Sequence, residues 1–511
     1  MAKYHSIALL FLSLSAISCS SSRPGSLVPE TPSAAPDYFC TWNIQSYVNS
    51  HKGGTTMTRR SINEDNMFGD GPYKNWVGFY PAIRSDLYFV MDDSWDIPLD
   101  ENTVEDNPYF GTMELSEDRF PSFKGNPATR LKALVDSVKA KGWKGLGGWV
   151  CAEEAENVPV VPPEEYWTKR LDDANEAGFS YWKVDWGDKD RDSQWREMLT
   201  RIGKEHAPEL LIEHAMNTDF IEFSDVYRTY DVENVISQPL TIRRVAELLP
   251  YSAKGDAKGI INCEDEPYIA AGLGCAIGIM RHPFAGSYPD GDQDVGFPPV
   301  GHNYKKCLDE LVRAVRWHRI AEPFGVDENY NASSLILTDY WEFRENETWK
   351  KERKPGDIVS ESAPATVSRH MALPVVEDTS STRPYILAST YPNGAVAVSA
   401  IGRALGREYV TREVPVTIEG SSWLSPIGIF GSFESVTIRY SSAPVSKNPK
   451  VYAQDLAGEE PVDITNEVKI DGNCLTITKE TINRVGLMNS TEGDLSGPGL
   501  VVKVMLSDTQ G

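Results

Sequence analysis

The 511-residue sequence predicts an α/β chain: a (β/α)8 (TIM) barrel over residues 37–325, followed by an all-β sandwich domain over 326–511. Three observations predict it. Eight short apolar runs recur between Asp37 and Gly325, helical patterns separate them, and the texture changes beyond Gly325. The length alone calls for more than one domain.

The strand-like runs are Tyr38–Ile44, Leu87–Asp92, Gly145–Cys151, Tyr181–Trp186, Leu210–His214, Val226–Tyr230, Gly259–Cys263 and Gly278–Pro283. Between them, Ala128–Lys141 places Leu131, Leu134, Val135 and Val138 on one face of a 3.6-residue period, and Glu164–Ala177 reads the same way. Tyr304–Ile320 closes the series with another amphipathic helix. A doubly wound sheet would use fewer strands, and no phosphate-binding GxGxxG turn is present. Past Gly325, the charge-dense stretch Arg344–Ser362 reads as a surface loop. Short β-rich runs follow at Tyr385–Thr390, Ala395–Ala400, Glu413–Ile418, Ser435–Tyr440, Cys474–Ile477 and Leu500–Met505, with no long helical pattern among them.

The N-terminus is expected to lie outside the fold. Ser6–Ile17 is apolar but too short to span a bilayer, and the small residues leading to Cys19 resemble a bacterial lipoprotein signal. Residues 1–18 are then a signal peptide, Cys19 an acylated thiol, and residues 19–36, rich in Ser and Pro, a flexible tether. The expected location is the cell envelope, with the membrane as partner through Cys19.

Composition narrows the function. Hydrophobic residues at 41% and charged residues at 24% exclude general disorder. A formal net charge of −24 repels phosphate backbones, which argues against a nucleic-acid partner. The six cysteines after Cys19 form no CxxC or zinc spacing and have no His at ligand spacing, so neither metal nor cofactor is expected, and buried free thiols are favoured.

In such a barrel the chemistry lies at the C-terminal strand ends. Read at those positions, the chain offers Asp92 and Asp93, Trp149 with Glu153 and Glu154, Lys183 and Asp185, Glu213 and His214, Arg228 and Asp231, and Glu264 with Asp265. Carboxylates that face one mouth repel each other unless they bind something. Paired carboxylates beside tryptophans are what glycosidic bond cleavage needs: one as nucleophile or base, the other protonating the leaving oxygen. Asp185 is the nucleophile candidate, because Lys183, two residues earlier on the same strand face, would keep it ionised.

These residues resemble glycoside hydrolase family 27, the α-galactosidase and α-N-acetylgalactosaminidase group. Asp92-Asp93-Ser94-Trp95 matches its DD-x-W motif, and Phe120-Pro121-Ser122-Phe123 with Lys141 to Trp149 is similar to the segment leading into its third strand. Tyr181-Trp182-Lys183-Val184-Asp185 matches the Y-x-K-x-D nucleophile strand. Tyr227-Arg228-Thr229-Tyr230-Asp231 resembles the stretch that carries the acid/base, and Thr41-Trp42-Asn43 resembles the first-strand motif. The resemblance runs in order from residue 38 to about residue 325. It implies a retaining, exo-acting hydrolase of terminal galactose-like sugars on oligo- or polysaccharides, an α-D-galactoside first and a β-L-arabinopyranoside next. It further implies Asp185 as nucleophile and Asp231 as acid/base, with Trp42, Asp92, Asp93, Trp149, Lys183, Glu213 and Arg228 binding the sugar. Three departures stand out. The family's acid/base falls four residues after the arginine, where this chain has Val232, leaving Asp231 ahead of Glu233 and Asp225. Cys151 replaces an aspartate after strand 3, and Ile212 to Met216 differs in the loop that reads the sugar's C2 substituent. A lipid-anchored protein that binds glycans without turnover is the alternative of another class.

Overall fold

The computed structural model describes residues 24–49, 54–99, 107–230, 236–284, 302, 306–344, 354–378, 380–446 and 448–506. Eight parallel strands close into a barrel: β1 (Tyr38–Cys40), β2 (Tyr88–Met91), β3 (Gly145–Val150), β4 (Tyr181–Val184), β5 (Leu211–His214), β6 (Val226–Arg228), β7 (Ile260–Glu264) and β8 (Ala276–Ile279). β1 pairs with β8 through Tyr38 opposite Gly278, which seals the sheet on itself.

The period-2 geometry of the strands sorts side chains into two environments. Phe39, Phe89, Leu146, Trp182, Val184 and Ile212 point outward into the layer of helices. Tyr38, Val90, Tyr181, Leu211 and Val226 point inward and form the barrel's own core. Tyr38 and Tyr181 meet edge to face at 5.2 Å, and Tyr88 lies 5.6 Å from Tyr181. Two glycines make room for these rings. A Cβ at Gly147 would sit 2.6 Å from that of Tyr181, and one at Gly278 would sit 2.8 Å from the Tyr38 ring.

The helices begin and end where their sequences dictate. Pro127–Ala140 starts with Asn126, whose side chain accepts the Thr129 N–H, and carries Pro in its first turn. Pro163–Ala177 stops at Gly178, which takes the left-handed conformation at φ +71°. Strand 1 is shorter than expected. It ends at Cys40, and a helix begins at Trp42 and runs to Tyr47. Strand 8 lies two residues earlier than its expected start, and the last barrel helix is Asp309–His318.

Beyond the barrel lies a β-sandwich built from an eight-stranded and a five-stranded sheet. On the eight-stranded sheet, Ile386, Ala388, Val396 and Val398 face the sandwich core together with Val416, Ile438 and Leu475 of the five-stranded sheet. The alternate residues Tyr385, Leu387, Ala395 and Ala397 face the barrel helices and join its core. A buried Arg313–Asp455 ion pair at 3.0 Å crosses the same contact.

Three further features depart from the sequence expectation. Ile358–Pro364, partly inside the expected surface loop, is a strand paired with Ile336–Glu342 in a separate four-stranded sheet. A helix, Lys479–Gly486, lies within the β domain and buries Ile482 and Val485. Residues 24–36, expected as flexible tether, lie against the fold. Leu27 N–H donates to Gln454 Oε1 at 2.6 Å, Ser33 N–H donates to Asp86 Oδ1 at 2.7 Å, and Val28 and Ala35 are buried. Satisfied backbone groups and buried side chains hold that segment despite its Ser/Pro composition. Cys19 and the signal segment lie outside the described residues.

All six cysteines after Cys19 are free thiols, five of them buried. Among the described residues no helix is long and apolar enough to cross a membrane.

Candidate active site

The C-terminal strand ends converge on one buried charge cluster. On β4, Lys183 faces the barrel interior, and Asp185 follows one residue past the strand end, in phase with it. Asp185 is held from two sides: Arg228 Nη2 donates to its Oδ1 at 2.9 Å, and Trp149 Nε1 donates to its Oδ2 at 2.9 Å. Arg196 also donates to the carbonyls of Val184 and Asp185, which fixes the backbone. Burial works to raise the Asp185 carboxyl, but Arg228, Lys183 and the indole N–H outweigh it and hold the group below the usual carboxylate range.

Asp92 receives two donors on one oxygen. Lys183 Nζ lies 2.7 Å from Oδ2, and the Cys40 thiol donates to the same atom at 2.8 Å. Burial opposes the charge on Lys183, yet Asp92 and its neighbours raise the ammonium above its ordinary value. Asp93 pairs with Arg59 Nε at 2.9 Å and accepts the Ser94 hydroxyl at 2.7 Å. Burial pushes Asp93 up and Arg59 pulls it back.

Below this rim, Glu213 accepts the Tyr181 hydroxyl at 2.8 Å and the Asn262 amide at 2.9 Å. Burial pushes it up to about 7, against the pull of Arg228 and Lys183. Arg228 stands 3.8 Å from both Glu213 and Glu264, so a single buried guanidinium serves three carboxylates. Burial likewise raises Glu264.

Asp92, Asp93, Lys183, Asp185, Glu213 and Arg228, all expected from the sequence, thus form one cluster. Trp42 is partly buried against the barrel-interior core beside Tyr38 and Cys40. Trp149 differs from expectation. It is 1% exposed, packs against Phe110 and Trp186, and uses its N–H on Asp185 instead of offering an apolar face to a sugar. Asp225 lies at the opposite, N-terminal end of β6, accepting the Ile212 N–H and pairing with Lys204, far from any acid/base role. His214 points outward to Thr200 and Arg196. Glu154 accepts the indole N–H groups of Trp167 and Trp195 and is structural. Asp231 and Glu233 lie outside the described residues.

Sequence reasoning missed Arg59, Cys40, Tyr181 and Asn262. Tyr181 was within reach of it, since the alternation Tyr181, Lys183, Asp185 puts all three on the inner face. Arg59 was not, because it arrives from a helix in the β1–β2 connection, Gly54–Arg60.

One group among the described residues has the composition of a metal site: His302, Cys307 and Glu310, with ligand atoms within 4.8 Å of one another. Its present chemistry is an ion pair. His302 Nε2 lies 3.0 Å from Glu310, and the Arg281 guanidinium, 3.6 Å from the same carboxylate, already supplies a second cation.

Fold and site together define a (β/α)8-barrel protein with a buried, cation-balanced carboxylate cluster at the C-terminal mouth, joined to a β-sandwich. No family model matches the chain, and no curated protein does. Among solved structures it is similar to α-galactosidase I from Mortierella vinacea (11% identity, TM-score 0.40, 93% of this chain and 97% of that one). It is also similar to a glycoside hydrolase family 27 β-L-arabinopyranosidase from Geobacillus stearothermophilus (12%, 0.41, 93% and 98%). A third is the α-galactosidase from Saccharomyces cerevisiae (8%, 0.36, 93% and 97%).

Proposed function

We propose that this protein is an exo-acting, retaining glycoside hydrolase that releases a terminal galactose-like sugar from oligo- or polysaccharides. An α-D-galactoside is the first candidate substrate and a β-L-arabinopyranoside the second. The observation that carries this reading is the state of Asp185: a buried carboxylate kept ionised by Arg228 and Trp149, beside two further carboxylates, Asp92 and Asp93, whose partners are cations.

The roles follow from the chemistry. Asp185 attacks the anomeric carbon and forms a glycosyl-enzyme ester as the leaving oxygen departs. That oxygen takes a proton from Asp231, which then draws a proton from water as the water displaces the sugar from Asp185. Asp92 and Asp93 accept hydrogen bonds from sugar hydroxyls, and Lys183, through Asp92, fixes one of them. Trp42 borders the same mouth. Both displacements use protein carboxylates alone, so the mechanism calls on no cofactor. Anchorage at an acylated Cys19 belongs to the same proposal and would hold the enzyme at the cell envelope.

The decisive experiment is Asp185→Ala on a nitrophenyl α-D-galactoside. Turnover should fall by several orders of magnitude with the melting temperature preserved, and azide should restore activity as a glycosyl azide of inverted anomeric configuration. Unimpaired turnover in the variant refutes the nucleophile. Sugar binding by a wild type that is inert on every activated glycoside would support the glycan-binding alternative.

A further inference from the structure

Tyr230 is unusually placed. It follows β6 by two residues and takes a left-handed backbone, φ +57°, which a bulky residue rarely adopts and which costs on the order of 1–2 kcal/mol. Arg244 donates to two successive carbonyls, those of Thr229 and Tyr230, and clamps the chain in that shape. The turn places the ring over Arg228, with the guanidinium carbon 4.7 Å from the ring centroid, while the residue remains 46% exposed. Arg228 in turn holds Asp185 at 2.9 Å. A large aromatic residue is thus strained into the open mouth, one side chain away from the nucleophile. Strain of this kind persists where the surroundings enforce it, and it concentrates at functional positions.

We propose that Tyr230 is a substrate-binding residue whose phenol hydrogen-bonds the hydroxyl on the carbon next to the anomeric centre. The argument rests on the assignment of Asp185 as nucleophile. The substituents nearest a group beside the attacking carboxylate are those that flank the anomeric carbon. Those are the ring oxygen and the 2-hydroxyl. The ring oxygen gains positive character in the transition state, so a donor aimed at it would oppose the reaction. The 2-hydroxyl both donates and accepts, and contacts to it strengthen in an oxocarbenium-like transition state. The phenol is suited to donate, because Asp185 first and burial second push its ionisation well above the usual range.

The test is a cycle of enzyme and substrate changes. Tyr230→Phe removes the hydroxyl and keeps the ring over Arg228. Wild type and variant are assayed on a nitrophenyl α-D-galactoside and on its 2-deoxy analogue. The variant should lose about tenfold in kcat/KM on the galactoside, the size of one hydrogen bond that strengthens toward the transition state, and nothing on the 2-deoxy substrate. A merely structural role would depress both substrates equally, and that result overturns the proposal, as does no loss on either. The same cycle is run on binding, in an Asp185→Asn background, with D-galactose and 2-deoxy-D-galactose followed by calorimetry. There Tyr230→Phe should weaken D-galactose alone, and equal affinities overturn the contact even if the wild type proves inert. Failure of the hydrolase reading is seen separately, as absent turnover by wild type.

Discussion

Trp149→Phe isolates what holds Asp185, the proposed nucleophile, ionised. The indole N–H donates to Asp185 Oδ2 at 2.9 Å, while the ring packs 6.0 Å from Phe110 and 5.5 Å from Trp186. Phenylalanine keeps an aromatic ring in that stack and removes the donor. A hydrogen bond to a charged group contributes about 1.5–3 kcal/mol against about 0.5–1.5 kcal/mol for one to a neutral group, so the indole favours the ionised form by about 1 kcal/mol and losing it should raise the Asp185 carboxyl. Arg228 remains in place, so the carboxylate is still ionised at neutral pH. The sign follows from the chemistry. In the proposed mechanism Asp185 must be unprotonated to attack, and its native value is depressed, so activity should disappear as pH falls through that value. The acid limb of kcat/KM should therefore move to higher pH, with a smaller loss on the neutral plateau. The smaller ring should also cost roughly 1–3 kcal/mol of stability, visible as a lower melting temperature. A pH–rate profile on a nitrophenyl galactoside measures the first effect and a thermal melt the second. An acid limb that stays in place, with the melt shifted, would mean that Trp149 serves packing alone and that the indole hydrogen bond does not tune the nucleophile.

Glu213→Gln should flatten the pH dependence of stability. The native carboxyl titrates near 7, well above an unfolded glutamate near 4.3, so its contribution is fully present below about pH 4 and is lost as pH rises through 7; the difference in melting temperature between variant and wild type should change across that window. Asp231→Ala should cost far more on a natural oligosaccharide than on a dinitrophenyl glycoside, whose phenolate leaves unaided, and the glycosyl-enzyme should accumulate on the activated substrate. Should that leaving-group dependence follow Glu233→Ala instead, the acid belongs one register further along the chain.

The barrel was legible because its strands are buried on both faces. Such strands read as near-continuous apolar runs, and the polar residues within them stand out. Lys183 and Asp185 in an otherwise apolar run are the clearest case, and the period of two put both on the inner face. The same rule misjudged strand 1. Trp42 to Ile44 read as the end of the strand, but they open a short helix to Tyr47 that buries Ile44 and Tyr47, with the Thr41 hydroxyl engaged at its start by Gln45 and by the Asp92 N–H. Propensity gave way there to tertiary contacts. The role of Trp149 was out of reach for a different reason. An indole beside a carboxylate can stack on a ligand or donate to the acid, and only its burial separates the two. Arg59 and Arg196 lie on helices whose distance from Asp93 and Asp185 is a product of the closed barrel, which no local pattern encodes.

The charge balance of the cluster explains why its carboxylates behave differently. Among the described residues, five buried acids, Asp92, Asp93, Asp185, Glu213 and Glu264, meet four buried cations: Arg59, Lys183 and Arg228 at their carboxylates, and Arg196 at the Asp185 backbone. With fewer cations than acids, full ionisation of all five would leave net buried negative charge, so some must be pushed upward. The geometry decides which. Asp185 has a direct guanidinium bond and an indole bond and is depressed. Glu213 and Glu264 see the same guanidinium only at 3.8 Å and are raised, and Asp93 is raised as well, because its burial outweighs the single Arg59 pair. Carboxyl groups driven apart in this way fit the proposed division between an ionised nucleophile, Asp185, and acids that can hold a proton. Arg228 is then the residue on which the whole division depends, because its hydrogen bond goes to Asp185 and its weaker, longer contacts go to the acids beneath.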